Sequence, residues 1–168
     1  MADNQQTADV LHWDDDEKKV PEMLNVLTIL TFVGSGLGVF LSIWGYFKAA
    51  DSYNQVLENQ GKMENAPAFV KSLAGPNPLE LAQKTLDSRL PILLLALVGY
   101  ALCTYGAIQM RSRKKIGYSI YVIGEILPIA AMFIFIGIGL YGSFTLAFIL
   151  LFPILFIILY STQLKHLS

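Results

Sequence analysis

Four apolar segments, each near the length that crosses a bilayer, dominate the sequence. They cover residues 24–47, 90–110, 117–140 and 144–160. A helix needs about 20 apolar residues to cross roughly 30 Å of hydrocarbon. Hydrophobic residues make up 54% of the chain and charged residues 15%, a balance that does not suit a soluble globule. The sequence predicts an all-α integral membrane protein with four transmembrane helices. The first segment is expected to stay as a span, because acidic residues precede a core too long for a cleaved leader.

The orientation follows from the distribution of lysine and arginine, since short cytoplasmic loops retain positive charge during insertion. The loop between the second and third spans is strongly basic, and Lys18, Lys19 and Lys165 fall on the same side of the predicted membrane. Both termini are therefore expected to be cytoplasmic, and a bacterial inner membrane is the expected location. The topology-setting residues of the loop are Arg111, Arg113, Lys114 and Lys115.

Outside the spans, the chain has an acidic tail and one longer loop. Residues 1–20 are polar and are expected to form a cytoplasmic tail ahead of a membrane domain at 21–168. Residues 48–89 are expected to form a helical extracytoplasmic loop. Within that loop, Asn77, Pro78 and Glu80 have the spacing of a capped helix start, which predicts one long helix into the second span with a bend at Pro91.

Small residues spaced four apart mark candidate helix contacts, because in lipid a close backbone approach replaces the hydrophobic drive of soluble proteins. One strip lies in the first span and one in the second. The two strips are expected either to pack against each other within one chain or to form an oligomer face. The candidate packing residues are Gly34, Gly38 and Ser42 in the first span and Gly99, Cys103 and Ala107 in the second.

Glu125 is the most informative polar residue, because a carboxyl group inside an apolar span needs a proton or a partner. Its depth along the third span matches Tyr100 and Thr104 in the second span, and Thr31 and Ser35 in the first. Three interpretations stay open. The carboxyl is a packing group bonded to Thr104 or Ser35, a proton or ion site used in transport, or a contact with another membrane subunit.

Other chemistry has little support in the sequence. His12 and His166 lie in opposite tails, and HExxH and GxSxG patterns are absent from the sequence, so an enzyme is not expected. We predict no cofactor, no metal site and no nucleic-acid partner. The stretch Arg113-Lys114-Lys115-Ile116-Gly117-Tyr118 through Gly124-Glu125 resembles uncharacterised small four-span inner-membrane proteins of Bacteroidota type. This resemblance implies the fold and no activity.

Two functions follow as expectations. The first is a non-enzymatic accessory or scaffold subunit of a larger membrane complex, whose partners are the lipid bilayer and other membrane subunits or copies of itself. The alternative is a small oligomeric channel or an ion- or proton-coupled carrier that uses Glu125.

Overall fold

The computed structural model describes residues 22–164, except for the side chains of residues 63 and 64. The predicted tail at 1–20 lies outside these residues, as do Lys18, Lys19 and Lys165. The described chain is helical and contains no strand. Its seven α-helices are α1 (Glu22–Glu58), α2 (Gln60–Glu64), α3 (Ala68–Ala74), α4 (Pro78–Asp87), α5 (Arg89–Arg111), α6 (Ile116–Phe135) and α7 (Ser143–Gln163), with a 3-10 helix at Ile138–Leu140.

Four of these helices, α1, α5, α6 and α7, are long and apolar enough to cross a membrane. An α-helix is favoured in lipid because it bonds all its backbone groups internally. Helix α1 has 37 residues and a length of about 55 Å, so it extends well beyond one bilayer core. Its last turns pack against α4 outside the predicted span.

The helix ends meet in one buried cluster. Leu24 from the start of α1 lies with Met110 from the end of α5, Tyr121 from the start of α6 and Tyr160 from the end of α7. The four long helices therefore alternate in direction. We call this end, which carries the loop of residues 112–115, the basic end, and the opposite end the cap end.

The closest helix pair is α5 and α6, where glycines face each other. A methyl group added at Gly106 would lie 2.7 Å from the Gly117 carbonyl oxygen, and one added at Gly124 would lie 2.8 Å from the Gly99 carbonyl oxygen. Both distances are too short for any side chain. Since the glycines of each helix are seven residues apart, they recur on the same helix face and form a continuous seam.

At the cap end, α3 is fixed against the start of α7. The Thr145 hydroxyl donates to the Leu73 carbonyl oxygen at 2.8 Å, and the rings of Phe69 and Phe144 meet edge to face at 5.8 Å. Gly142 lies so close to the Ser72 carbonyl that an added methyl group would come within 2.0 Å of its oxygen. Helix α3 is thus held against the start of α7 by close contacts.

Two helix boundaries differ from the sequence predictions. The single helix predicted from Pro78 into the second span is two helices, separated at Ser88, where ψ is 13°. Pro91 explains why the helix is interrupted at Ser88, because a proline nitrogen has no hydrogen to donate to the Asp87 carbonyl one turn earlier. The third predicted span, 117–140, is α-helical only to Phe135. The α-helix ends near Gly137, whose φ of +98° is a conformation that glycine adopts readily.

Candidate functional site

Glu125 lies in a small, mostly apolar cavity between all four long helices, where a few hydroxyl side chains share the wall with Leu30, Phe152 and Phe156. The cavity has a volume of about 230 Å³ and lies near the middle of the long helices, next to the buried cluster of the basic end. Thr31 and Ser35 of α1, Tyr100 of α5 and Tyr121 of α6 line it together with the carboxyl group. Pro153 of α7 completes the wall. Because most of this wall is apolar, the carboxyl group depends on the few hydroxyl groups around it for hydrogen bonds.

The hydrogen-bond partner of Glu125 is a tyrosine on its own helix. The Tyr121 hydroxyl donates to Glu125 Oε1, with 2.6 Å between the two oxygens. These residues are four apart and therefore lie on the same face of α6. Tyr121 is only 1% exposed, so this bond is made within the protein. Sequence reasoning missed this partner because it considered depth on neighbouring helices and not the i, i+4 spacing within the third span.

A second pair of hydroxyl groups lies beside the first. Tyr160 and Thr31 share a hydrogen bond of 2.8 Å between their hydroxyl oxygens, and the rings of Tyr121 and Tyr160 are 4.6 Å apart. Thr28 donates to the Leu24 carbonyl, one turn away, at 2.7 Å. The hydroxyl groups of Thr28, Thr31 and Tyr160 thus satisfy one another or the backbone next to the Tyr121–Glu125 pair, as a low-dielectric interior requires.

The structure brings together most, but not all, of the residues predicted around Glu125. Thr31, Ser35 and Tyr100 share its cavity. Thr104 does not line the cavity, and its hydroxyl donates to the Tyr100 carbonyl at 2.9 Å. The predicted bond from Thr104 or Ser35 to the carboxyl is therefore replaced by the bond from Tyr121. A threonine in a helix commonly bonds the carbonyl one turn earlier, which removes it from tertiary contacts.

The two predicted packing strips have different neighbours. In α5, Cys103 and Ala107 are buried, and a methyl group at Gly99 would meet the Pro128 ring of α6 at 2.6 Å. In α1, a methyl group at Gly34 would meet nothing within 4 Å. Gly34 faces the Glu125 cavity, while Ser42 lines a second cavity near the cap end. Gly38 contacts the Tyr100 ring, so the α1 strip meets side chains and cavities instead of the α5 strip.

The glycines that face the α5 strip, Gly117 and Gly124, were missed in the sequence. Their seven-residue spacing matches that of Gly99 and Gly106 on the other side of the basic loop, and this match is the signal that could have found them. The loop itself is short. Helix α5 ends at Arg111 and α6 begins at Ile116, and Arg113 adopts a positive φ of 61° in the turn between them. This tight turn keeps the two glycine faces close.

A larger, open cavity lies in the cap. A cleft of about 550 Å³ separates the end of α1 from the turn between α3 and α4, and we call it the cap cleft. Val56 and Gln60 form one side, and Lys71, Asn77 and Leu79 contribute to the other. The turn is well defined, because Glu80 donates its backbone N–H to Asn77 Oδ1 at 3.4 Å and Gly75 adopts a φ of +88°. The cleft therefore has fixed walls of mixed polarity.

Within residues 22–164, no three histidine, cysteine or acidic side chains come together in a group that could hold a metal ion. Comparison of the chain with protein-family models, curated proteins and solved structures finds no match.

Proposed function

We propose that the chain is a non-enzymatic accessory subunit of a larger membrane complex, with both termini on the cytoplasmic side of a bacterial inner membrane. The four apolar helices support a lipid environment. The exposed basic side chains at 111, 114 and 115 support a cytoplasmic position for the basic end. In that orientation, the cap and its cleft face the opposite, extracytoplasmic side.

The observation that carries this proposal is the rigid attachment of a small cap to the membrane helices. The region of α2 to α4 is too small to bury a core by itself. It is nevertheless fixed in place by contacts such as those of Gly142 with Ser72 and of Thr145 with Leu73. A fixed cap with an open cleft is suited to receive side chains of a partner, because little ordering entropy is lost on binding.

The internal pairing of Glu125 favours the accessory role over chemistry in the membrane. Its carboxyl group has a hydroxyl donor at 2.6 Å and lies among satisfied groups. Apart from Glu125, the apolar parts of the four long helices contain no acidic or basic residue. These parts are the segments between Glu22 and Lys48, between Arg89 and Arg111, Ile116–Phe135 and Ser143–Gln163. A transport pathway ordinarily uses several polar or ionisable groups in series.

Site-specific photo-crosslinking in the native membrane tests the accessory role. A benzophenone amino acid at Val56, inside the cap cleft, is expected to give one discrete heteromeric product in native membranes. The matched control is Asn54, which is exposed on the same helix and does not line the cleft. Native mass spectrometry of the gently solubilised protein should then give a fixed stoichiometry with that partner. Equal crosslinking from Val56 and Asn54, or recovery of the protein alone, would contradict the proposal.

The second candidate is an oligomeric ion- or proton-coupled carrier, and the specific observation in its favour is that the Glu125 carboxyl lines a cavity between the four long helices. Four helices leave little room for an aqueous path, so this function requires several copies. Purified protein in proteoliposomes would then show ion or proton flux that is abolished by Glu125→Gln and retained in Thr104→Val, whose side chain lies outside the cavity. Absence of flux from a monodisperse homo-oligomer excludes this candidate.

A further inference from the structure

A second cavity near the cap end has the features of a lipid site. It has a volume of about 330 Å³ and lies between α1, the start of α5, and α6. Its wall is mostly apolar and includes Leu93 and Ala96 of α5 and Met132 of α6. Ligand pockets in proteins usually measure about 300–1,000 Å³, so this cavity suits part of one acyl chain rather than a whole lipid. We call it the Arg89 cavity.

Arg89 supplies a positive charge at the edge of this apolar space. It is half-buried, it is the first residue of α5, and its guanidinium carbon lies 4.9 Å from the centre of the Tyr46 ring. The ion pairs of Lys48 with Asp51 and of Lys84 with Glu80 do not involve Arg89, and no described carboxylate neutralises it. A half-buried charge beside an apolar cavity is costly without an anionic partner.

Tyr141 supplies an independent indication of a missing partner. This residue lines the same cavity and is only 8% exposed, and its hydroxyl is buried with no hydrogen-bond partner among the described residues. Burial raises the pKa of Tyr141 to about 12, so the hydroxyl keeps its proton and remains a donor at neutral pH. Buried polar groups in proteins are nearly always bonded, so an unsatisfied hydroxyl in the wall of the cavity that Arg89 also lines points to an acceptor from outside the chain.

We propose that the Arg89 cavity binds one anionic phospholipid of the surrounding membrane, with the headgroup phosphate at Arg89 and one acyl chain along the apolar wall. Arg89 begins a candidate span, the depth at which lipid headgroups lie. The planar guanidinium group matches phosphate oxygens through two parallel hydrogen bonds. Basic pockets between membrane helices are a known means of recognising lipid headgroups. This inference does not depend on the accessory role.

Native mass spectrometry with defined lipids tests this site. The full-length protein, delipidated in gentle detergent, is titrated with phosphatidylglycerol and, separately, with phosphatidylcholine of the same acyl chains. Wild-type protein is expected to keep a single phosphatidylglycerol molecule. Arg89→Gln should reduce its occupancy about tenfold or more, because it removes a charge-assisted contact. Lys84→Gln also removes one positive charge but lies outside the cavity, and it should retain the lipid.

A cavity-filling variant keeps the test independent of the charge. Gly45 lines the cavity and has open space around an added methyl group, so Gly45→Leu should exclude the acyl chain while leaving Arg89 in place. Gly36 on the same helix has equally open surroundings and lies outside the cavity, so Gly36→Leu is the matched control. Equal retention of the two lipids, several indistinguishable adducts, or a free fatty acid kept in place of the phospholipid would overturn the assignment. Unchanged binding in both Arg89→Gln and Gly45→Leu would do the same.

Discussion

Gly106→Ala is predicted to destabilise the protein, although alanine is the better helix former. The added methyl carbon would lie 2.7 Å from both the Gly117 carbonyl oxygen and the Tyr121 backbone nitrogen. Ordinary contact begins at 3.4 Å, so the methyl group would be about 0.7 Å too close. Both neighbours are backbone atoms, and they can retreat only if α6 moves away from α5 as a unit.

The expected magnitude is the difference between two opposing effects. Overpacking typically costs about 1–3 kcal/mol. Replacing glycine by alanine inside a helix returns roughly 0.5–1 kcal/mol. The net loss is therefore about 0–2.5 kcal/mol with a midpoint near 1 kcal/mol, and each kcal/mol corresponds to a fall in the melting temperature of about 2–4 °C when scaled from soluble domains of similar size.

The assay is thermal unfolding in one detergent. Samples are heated to a series of temperatures, and the fraction of protein that remains monodisperse on size exclusion is measured at each one. Gly36→Ala is the matched control, because a methyl group there meets nothing within 4 Å, and its melting temperature should not fall. Gly124 lies in the same seam as Gly106. The melting temperature of Gly124→Ala should therefore also fall, since its methyl group would lie 2.7 Å from the Cys103 backbone nitrogen. A Gly106→Ala protein as stable as Gly36→Ala would refute the close α5–α6 packing.

Three further predictions concern single side chains. Asn77→Ala removes the N-cap of α4 and should destabilise this helix by about 1 kcal/mol. Hydrogen exchange of the amides in its first turn should then be roughly fivefold faster, and unchanged exchange would argue against the cap. Tyr121→Phe removes the donor to Glu125 and should lower the free energy of unfolding by about 1–3 kcal/mol. The control Tyr118→Phe removes a hydroxyl that has no hydrogen bond among the described residues and should change stability little, so equal effects would contradict the Tyr121–Glu125 bond. Burial raises the pKa of Tyr141 to about 12, so between pH 10 and 12 the unfolded protein loses this proton more readily than the folded protein, and stability should fall as pH rises through that range. In the same melting assay, the stability of Tyr141→Phe should fall less steeply with pH than that of the wild type, and identical slopes would contradict this prediction.

The membrane helices and the start of α4 could be predicted from the sequence because both depend on local rules. A long apolar run in lipid must satisfy its own backbone, which leaves the helix as the main solution. The cap at Asn77 needs only residues three positions away, and the structure has the expected contact with Glu80. The end of α6 at Phe135 was harder to place, since the apolar sequence continues past it and only Gly137 marks the change.

The partners of the candidate sites could not be obtained in the same way. Spans that are apolar on every face lack the polar and apolar stripes that show which side of a helix packs inward. The contact of Gly99 with Pro128 and the open space beside Gly34 therefore depend on how the helices are arranged. The same arrangement decides that Tyr121, and not Thr104, bonds Glu125.

Four apolar helices, a basic loop between the second and third of them, and one carboxyl group inside the third span could all be predicted, because length, charge and hydropathy act along the chain. The three-dimensional arrangement was needed to show which glycines touch, which hydroxyl satisfies Glu125 and where Arg89 meets an apolar cavity. These features depend on the rotation and separation of helices, which are set by packing between segments distant in sequence.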